Sequence, residues 1–384
     1  MDGVYRVMAR ALAGKMPAAV LCFGALVMPA LSIAQSAEDR AEWPKTDFSR
    51  RTVNFAEIES GGPPKDGIPA IDRPRFVPVR EARAWLNAKE PVLVLRLGRE
   101  ARAYPIRILM FHEIVNDSIS GVPVAVTFCP LCNASMVFER RVGGRVLDFG
   151  TTGRLRHSDL VMYDRQTESW WQQFTGKGIV GHYAGTTLIK LPSEITAFED
   201  FASAYRRGAV LSRATGYVRP YGRNPYAGYD RIDQSPFLFA SKTDPRLPPM
   251  ERVLSVTVGG KHRLYPLTLL EKHPIANREL GGVPYVVFSK RGMASPLDTE
   301  RIPAGRPIAA ATAFERRLDA RMLEFRLRDG KILDAATGSE WNLFGEALTG
   351  PLKGQRLPAI ESGVHFAFAW LAFNPDSEIG RTLP

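Results

Sequence analysis

Cys129 and Cys132 stand in the run Thr127-Phe128-Cys129-Pro130-Leu131-Cys132-Asn133. A C-x-x-C pair admits three chemistries: thiolates chelating a soft metal ion, a dithiol cycling with a disulfide, or a local structural disulfide. In redox folds the first cysteine caps a helix, whose dipole favours its thiolate. Here Asn133-Ala134-Ser135-Met136-Val137-Phe138 reads as a turn into a strand, the setting of a metal knuckle. Spacing alone does not choose among the three.

A metal site needs further ligands, and no second C-x-x-C supplies them. The expected set is Cys129, Cys132, His157 and Met162, with His112, Met136 or a carboxylate as weaker candidates. Sulfur with imidazole suits copper, the first metal expected, and zinc, the second. His157 and Asp159 share the stretch Gly153-Arg154-Leu155-Arg156-His157-Ser158-Asp159, so Asp159 is expected to orient the imidazole. The same pair defines a third reading, an acid–base enzyme, which needs a nucleophile or activated water beside it. Candidates for catalysis are therefore Cys129, Cys132, His157 and Asp159. His112 is expected on a short amphipathic helix in Met110-Phe111-His112-Glu113-Ile114.

The elements that must position these residues occur twice. Arg102-Ala103-Tyr104-Pro105, His112, Asn116 and Gly121-Val122-Pro123 have counterparts in Arg263-Leu264-Tyr265-Pro266, His273, Asn277 and Gly282-Val283-Pro284, at one spacing. Asp164, Thr167, Ser169 and Trp171 match Asp334, Thr337, Ser339 and Trp341. The chain divides into a leader (1–34), an extension (35–74), repeat one (75–210), a connector (211–250), repeat two (251–376) and a tail (377–384). Each repeat reads as a strand (Pro91–Leu97; Val253–Val258), a Tyr-Pro step, a short helix and a β-branched strand (Val122–Phe128; Val283–Phe288). Short strands between glycines follow, and each repeat closes on a helical pattern (Ala197–Arg206; His365–Phe373). The expected fold is α+β and strand-rich, two internally duplicated lobes each with a short helix and several antiparallel strands.

What both copies keep reads as architecture: Tyr104, Pro105, Asn116, Asp164 and Trp171. The cysteines and His157 have no counterpart, so repeat two reads as a degenerate copy. Trp170 faces Glu340 in the alignment and is expected to line a cleft. The connector carries Tyr217, Tyr221, Tyr226 and Tyr229 among arginines and prolines. It reads as a stiff strap over the lobes, with a ligand contact as the lesser reading.

Residues 1–34 combine Arg6, Arg10 and Lys15 with an apolar stretch too short to span a bilayer, then Ser32-Ile33-Ala34. This is the pattern of a cleaved secretory signal, which would remove Cys22 and direct the protein to the periplasm or outside the cell. Removing three Lys/Arg and one Asp with it takes the net charge from +11 to +9. The basic residues are interleaved with acidic ones, so no nucleic-acid partner is expected, and no transmembrane segment follows the leader. The partner expected is an unknown small ligand or periplasmic protein. No Walker loop, dinucleotide fingerprint, nucleophile elbow or H-E-x-x-H appears.

Several long stretches resemble one family. They are Tyr104–Leu109, His112–Asp117, Gly121–Cys132, Ser158–Ser169 and, in the connector, Tyr221–Tyr229. Together they resemble the bacterial domain-of-unknown-function family 3179. That resemblance implies an exported or membrane-associated bacterial protein with this cysteine pair, and it implies no activity. Two readings are carried forward: a Cys129/Cys132 site that binds copper or zinc or cycles as a dithiol, and a non-enzymatic ligand- or partner-binding module with a structural disulfide.

Overall fold

A computed structural model describes residues 37–382, so the expected leader and Cys22 lie outside the described residues. The fold is strand-rich, and no described helix exceeds seven residues. None is long and apolar enough to cross a membrane.

Within residues 75–210, strands Pro91–Leu97 and Glu100–Pro105 pair as a hairpin. Ser193–Ala197 pairs antiparallel on one side, and Ala209–Leu211 runs parallel on the other. Within 251–379, Arg252–Val258 and Lys261–Pro266 pair the same way, flanked by antiparallel Glu361–Phe366 and parallel Glu378–Ile379. A meander follows each hairpin: Ile114–Ile119, Val122–Cys129 and Ala134–Glu139 in the first, Ile275–Leu280, Val283–Ala294 and Pro307–Glu315 in the second. Val122–Cys129 is buried almost end to end, as expected of a β-branched run covered on both faces. The tight Ser120-Gly121 turn that starts it places both residues at positive φ (50° and 77°), the type I′ geometry for a two-residue hairpin.

A third hairpin differs between the two segments. Phe149–Arg156 pairs with Asp159–Asp164, whereas Phe325–Arg328 pairs with the shorter Lys331–Asp334. Its root is tied alike in both. Asn116 exchanges two hydrogen bonds with the backbone of Phe149 (2.8 and 2.9 Å), and Asn277 does so with Phe325 (2.8 and 2.9 Å). Asp164 accepts from Thr167 N (2.7 Å) and Trp171 Nε1 (3.0 Å), and Asp334 from Thr337 N and Trp341 Nε1 at the same distances. These residues hold turns, through local side-chain-to-backbone bonds.

The closing helices are exchanged across the molecule. Ala367–Phe373 packs on the first segment, where Phe174 stacks on Phe373 (5.0 Å) and meets His365 (4.9 Å). Phe198–Ala204 reaches the second, where the next residue, Tyr205, touches Phe344 (5.1 Å). The largest apolar core accordingly joins Phe128, Cys132 and Met162 to Val253, Leu264 and Phe366–Leu371.

Candidate metal centre

Cys129 ends one strand of the first meander, and Ala134 opposite it begins the next. Pro130, Leu131, Cys132 and Asn133 form the intervening turn, closed by Asn133 N donating to Pro130 O (3.2 Å). Asn133 adopts φ 49°, a conformation asparagine tolerates better than most residues. The expected strand–turn–strand setting is what the structure has, and neither cysteine caps a helix, although Phe366, the residue that caps helix Ala367–Phe373, lies against the turn. Two carbonyls of the turn are held from outside it. Leu131 O accepts from the Tyr229 hydroxyl (3.1 Å) and Cys132 O from Phe366 N (3.0 Å).

Both cysteines are free thiols, and both are buried. Their sulfurs and a carboxylate oxygen of Asp159, itself fully buried, all lie within 4.8 Å of one another. Asp159 reaches them because it opens the strand after the His157-Ser158 turn. Its Oδ2 accepts from Gln172 Nε2 (2.6 Å) and Phe174 N (2.9 Å). Its Oδ1 is buried with no hydrogen-bond partner among the described residues, and the Cys132 thiol lies close to the carboxylate. The Cys129 thiol is directed to Ser158 O (3.7 Å).

Glu113 completes the acidic environment. It is 8% exposed, and burial, then the charge of Asp159, pushes its carboxyl up to about 8. Burial likewise pushes Asp159 up to about 7, against the pull of its hydrogen bonds. Burial, then Cys129 and Asp159, drives the Cys132 thiol well above its ordinary value. No lysine or arginine is among the largest influences on these three groups. A sealed cluster of acids without a cation is costly unless the acids stay protonated or share a metal ion.

The backbone around the cluster is strained. Among the described residues, ten non-glycines have positive φ, and four of them are Glu113 (55°), Asn133 (49°), His157 (53°) and Ser158 (65°). The corresponding turn of the shorter hairpin uses Asp329-Gly330, a pair suited to that geometry. Strain of this kind persists where surrounding structure over-determines it, and it gathers at functional sites.

Several expected ligands lie elsewhere. His157 sits between Phe373 (5.4 Å) and Phe239 (6.2 Å), with Nδ1 3.4 Å from Ser241 Oγ and Nε2 3.7 Å from Glu57. It is not in the cysteine cluster, and Asp159 does not orient it: its ring nitrogens meet Ser241 and Glu57, while Asp159 bonds Gln172 and Phe174. Met162 is fully buried three residues beyond Asp159, roughly 10 Å along the strand and on its opposite face. His112 lies past the helix Ile106–Leu109, not on it, because Glu113 turns the chain at positive φ. Its nitrogens meet Pro69 O (2.7 Å) and the Tyr221 hydroxyl (2.6 Å), and burial lowers it to about 4, so it is a neutral, fully bonded imidazole. Trp170 lines no cleft: it is 1% exposed against Trp43 (5.3 Å) and Phe48 (5.6 Å) of the N-terminal extension.

Glu113 is the residue that sequence reasoning passed over. The repeat alignment holds the signal, since Pro274 stands at its counterpart and cannot supply a carboxylate.

The model of a family described as "Protein of unknown function (DUF3179)" matches residues 65–377. The chain belongs to that family. No curated protein matches it, and no solved structure does.

Proposed function

We propose that this member of the DUF3179 family holds one divalent metal ion between Cys129, Cys132 and Asp159. The observation that supports the reading is the sealed acid cluster: two thiols and a carboxylate within 4.8 Å, with the buried Glu113 near enough to feel the charge of Asp159. A bound ion would neutralise the thiolates and carboxylate together and occupy the free Oδ1 of Asp159. An oxygen donor in place of imidazole or thioether moves the choice from copper to zinc, which takes mixed sulfur and carboxylate ligands in a tetrahedral set. Glu113 or a water would be the fourth ligand. The strap through Tyr229 and Phe237 then keeps solvent off the centre. In the exported location that residues 1–34 suggest, the ion would also protect adjacent thiols from oxidation.

A redox dithiol is the second reading, and one observation favours it. Asp159, poised at about 7 beside Cys132, is suited to accept that thiol's proton. Against it stand the burial of both sulfurs and the upward push on Cys132, the reverse of an activated thiolate.

Elemental analysis of gently isolated protein, beside Cys129→Ser/Cys132→Ser and Asp159→Asn, separates the readings. Stoichiometric zinc in the wild type, lost in the double variant and reduced in Asp159→Asn, supports the metal centre. A wild type that holds no metal after incubation with zinc ends that reading. Thiol counting in the unfolded protein then distinguishes a cycling dithiol from the fixed disulfide of a binding module.

A further inference from the structure

The two segments present one short sequence in two environments. Arg154-Leu155-Arg156 precedes the turn of the longer hairpin, and Arg326-Leu327-Arg328 precedes the turn of the shorter one. In the first, strand Ile58–Ser60 of the N-terminal extension pairs antiparallel along all three residues. Arg156 there forms an ion pair with Glu57 (2.6 Å), and Arg154 one with Asp39. Leu155 is left only 9% exposed. Beside this strand the extension also buries Trp170.

Nothing does this for the second. Among the described residues, Phe325–Arg328 pairs as a strand only with Lys331–Asp334, so its outer edge is open beyond Phe325, whose N–H and C=O are taken by the Asn277 side chain. Arg326 and Arg328 are exposed, and Leu327 is 48% exposed. Arg328 has only a loose contact with the neighbouring Asp329 (3.7 Å). Glu340 takes the place of Trp170, and a cavity of about 500 Å³ lies beside the strand, lined by Leu327, Ile332, Leu343 and Phe344 together with charged side chains of both signs.

We propose that the Phe325–Arg328 edge is a docking site for an extended, acidic segment of a partner protein, which adds to the sheet as an antiparallel strand. The occupant's chemistry follows from the template within the chain: Ile58–Ser60 already occupies the matching Arg-Leu-Arg edge, Glu57 before it pairs with Arg156, and Asp39 of the same extension pairs with Arg154. Main-chain bonds supply the pairing, and the adjoining cavity is available to an apolar side chain. The two arginines repel another copy of the same edge, so homotypic pairing is disfavoured while an acidic strand is attracted.

The test uses a labelled peptide with the sequence of residues 54–61, capped at both ends, and the full chain in low salt. Saturable binding read by fluorescence anisotropy is expected. Arg326→Glu/Arg328→Glu, both surface changes, should weaken it about tenfold or more, since like charges across strands oppose pairing. A peptide with lysines in place of Glu57 and Glu59 should recover binding to that variant, while one N-methylated along its backbone should bind neither protein. No binding to the wild type, or binding unchanged by the double variant, overturns the proposal. So does a wild-type dimer that the double variant dissociates in sedimentation, because it would give the edge to a second copy.

Discussion

Metal-free protein should lose stability as the pH rises, and the buried carboxyls set the size of the loss. Asp159 moves from an ordinary carboxyl value of 3.8 to about 7 in the folded chain, mainly through burial. Below the unfolded value both states are protonated and nothing is lost. Between the two values the folded state holds a proton that the unfolded chain has released, so stability falls with rising pH. Above the folded value the loss is complete, ~4 kcal/mol for a shift of this size at about 1.4 kcal/mol per tenfold. Glu113, moved from 4.5 to about 8 by burial and by Asp159, adds a loss of similar order. Urea denaturation of metal-stripped protein at about pH 5 and about pH 8 should therefore differ by several kcal/mol, ~3 kcal/mol of it from Asp159. Asp159→Asn should remove that share, and Glu113→Gln most of the remainder. With zinc bound, the trend should reverse, because ligands must be deprotonated to bind. Equal wild-type stability at the two pH values would refute the claim that these acids are sealed from water without a cation.

Three further outcomes are expected. Asn116→Ala removes a side chain that bonds both backbone groups of Phe149 and also Asp72, and urea titration should show a loss of ~2–3 kcal/mol. Gly153→Ala would place a Cβ 1.9 Å from Pro63 O at φ +74°, so a loss above ~2 kcal/mol and easier proteolysis of residues 37–64 should follow. Tyr229→Phe frees Leu131 O and Phe237 N, and thiol labelling of the folded, metal-free protein should accelerate about fivefold for ~1 kcal/mol of lost closure.

The meander around the cysteines was legible because its signals are local. Val122, Val124, Val126 and Thr127 are interspersed with other residues up to Cys129, and Asn133 marks the turn. Asp159 was legible as a candidate but was given the wrong neighbour. Its partners Gln172 and Phe174 lie thirteen and fifteen residues away, and only the folded sheet brings them near. Histidine and methionine attracted attention as ligand types, yet His112 is consumed by Pro69 and Tyr221, and Met162 faces away by strand alternation. Glu113 escaped notice because a glutamate after a histidine looks like helix surface. Its role depends on a positive φ that no propensity announces. The extension (35–74) carried no sequence signal of a role, although its Trp43 and Ile58 cover the sheet that holds Asp159.

The exchange of closing helices bears on how this chain can change. Phe366 N secures the cysteine turn, and Tyr205 seals against Phe344, so each segment is finished by residues from the other. A truncation within 211–250 would yield two fragments with bare apolar faces, not two smaller proteins. The cysteine-free segment is thus a keystone: its surface is free to acquire new partners, but deleting it would unroof the thiols.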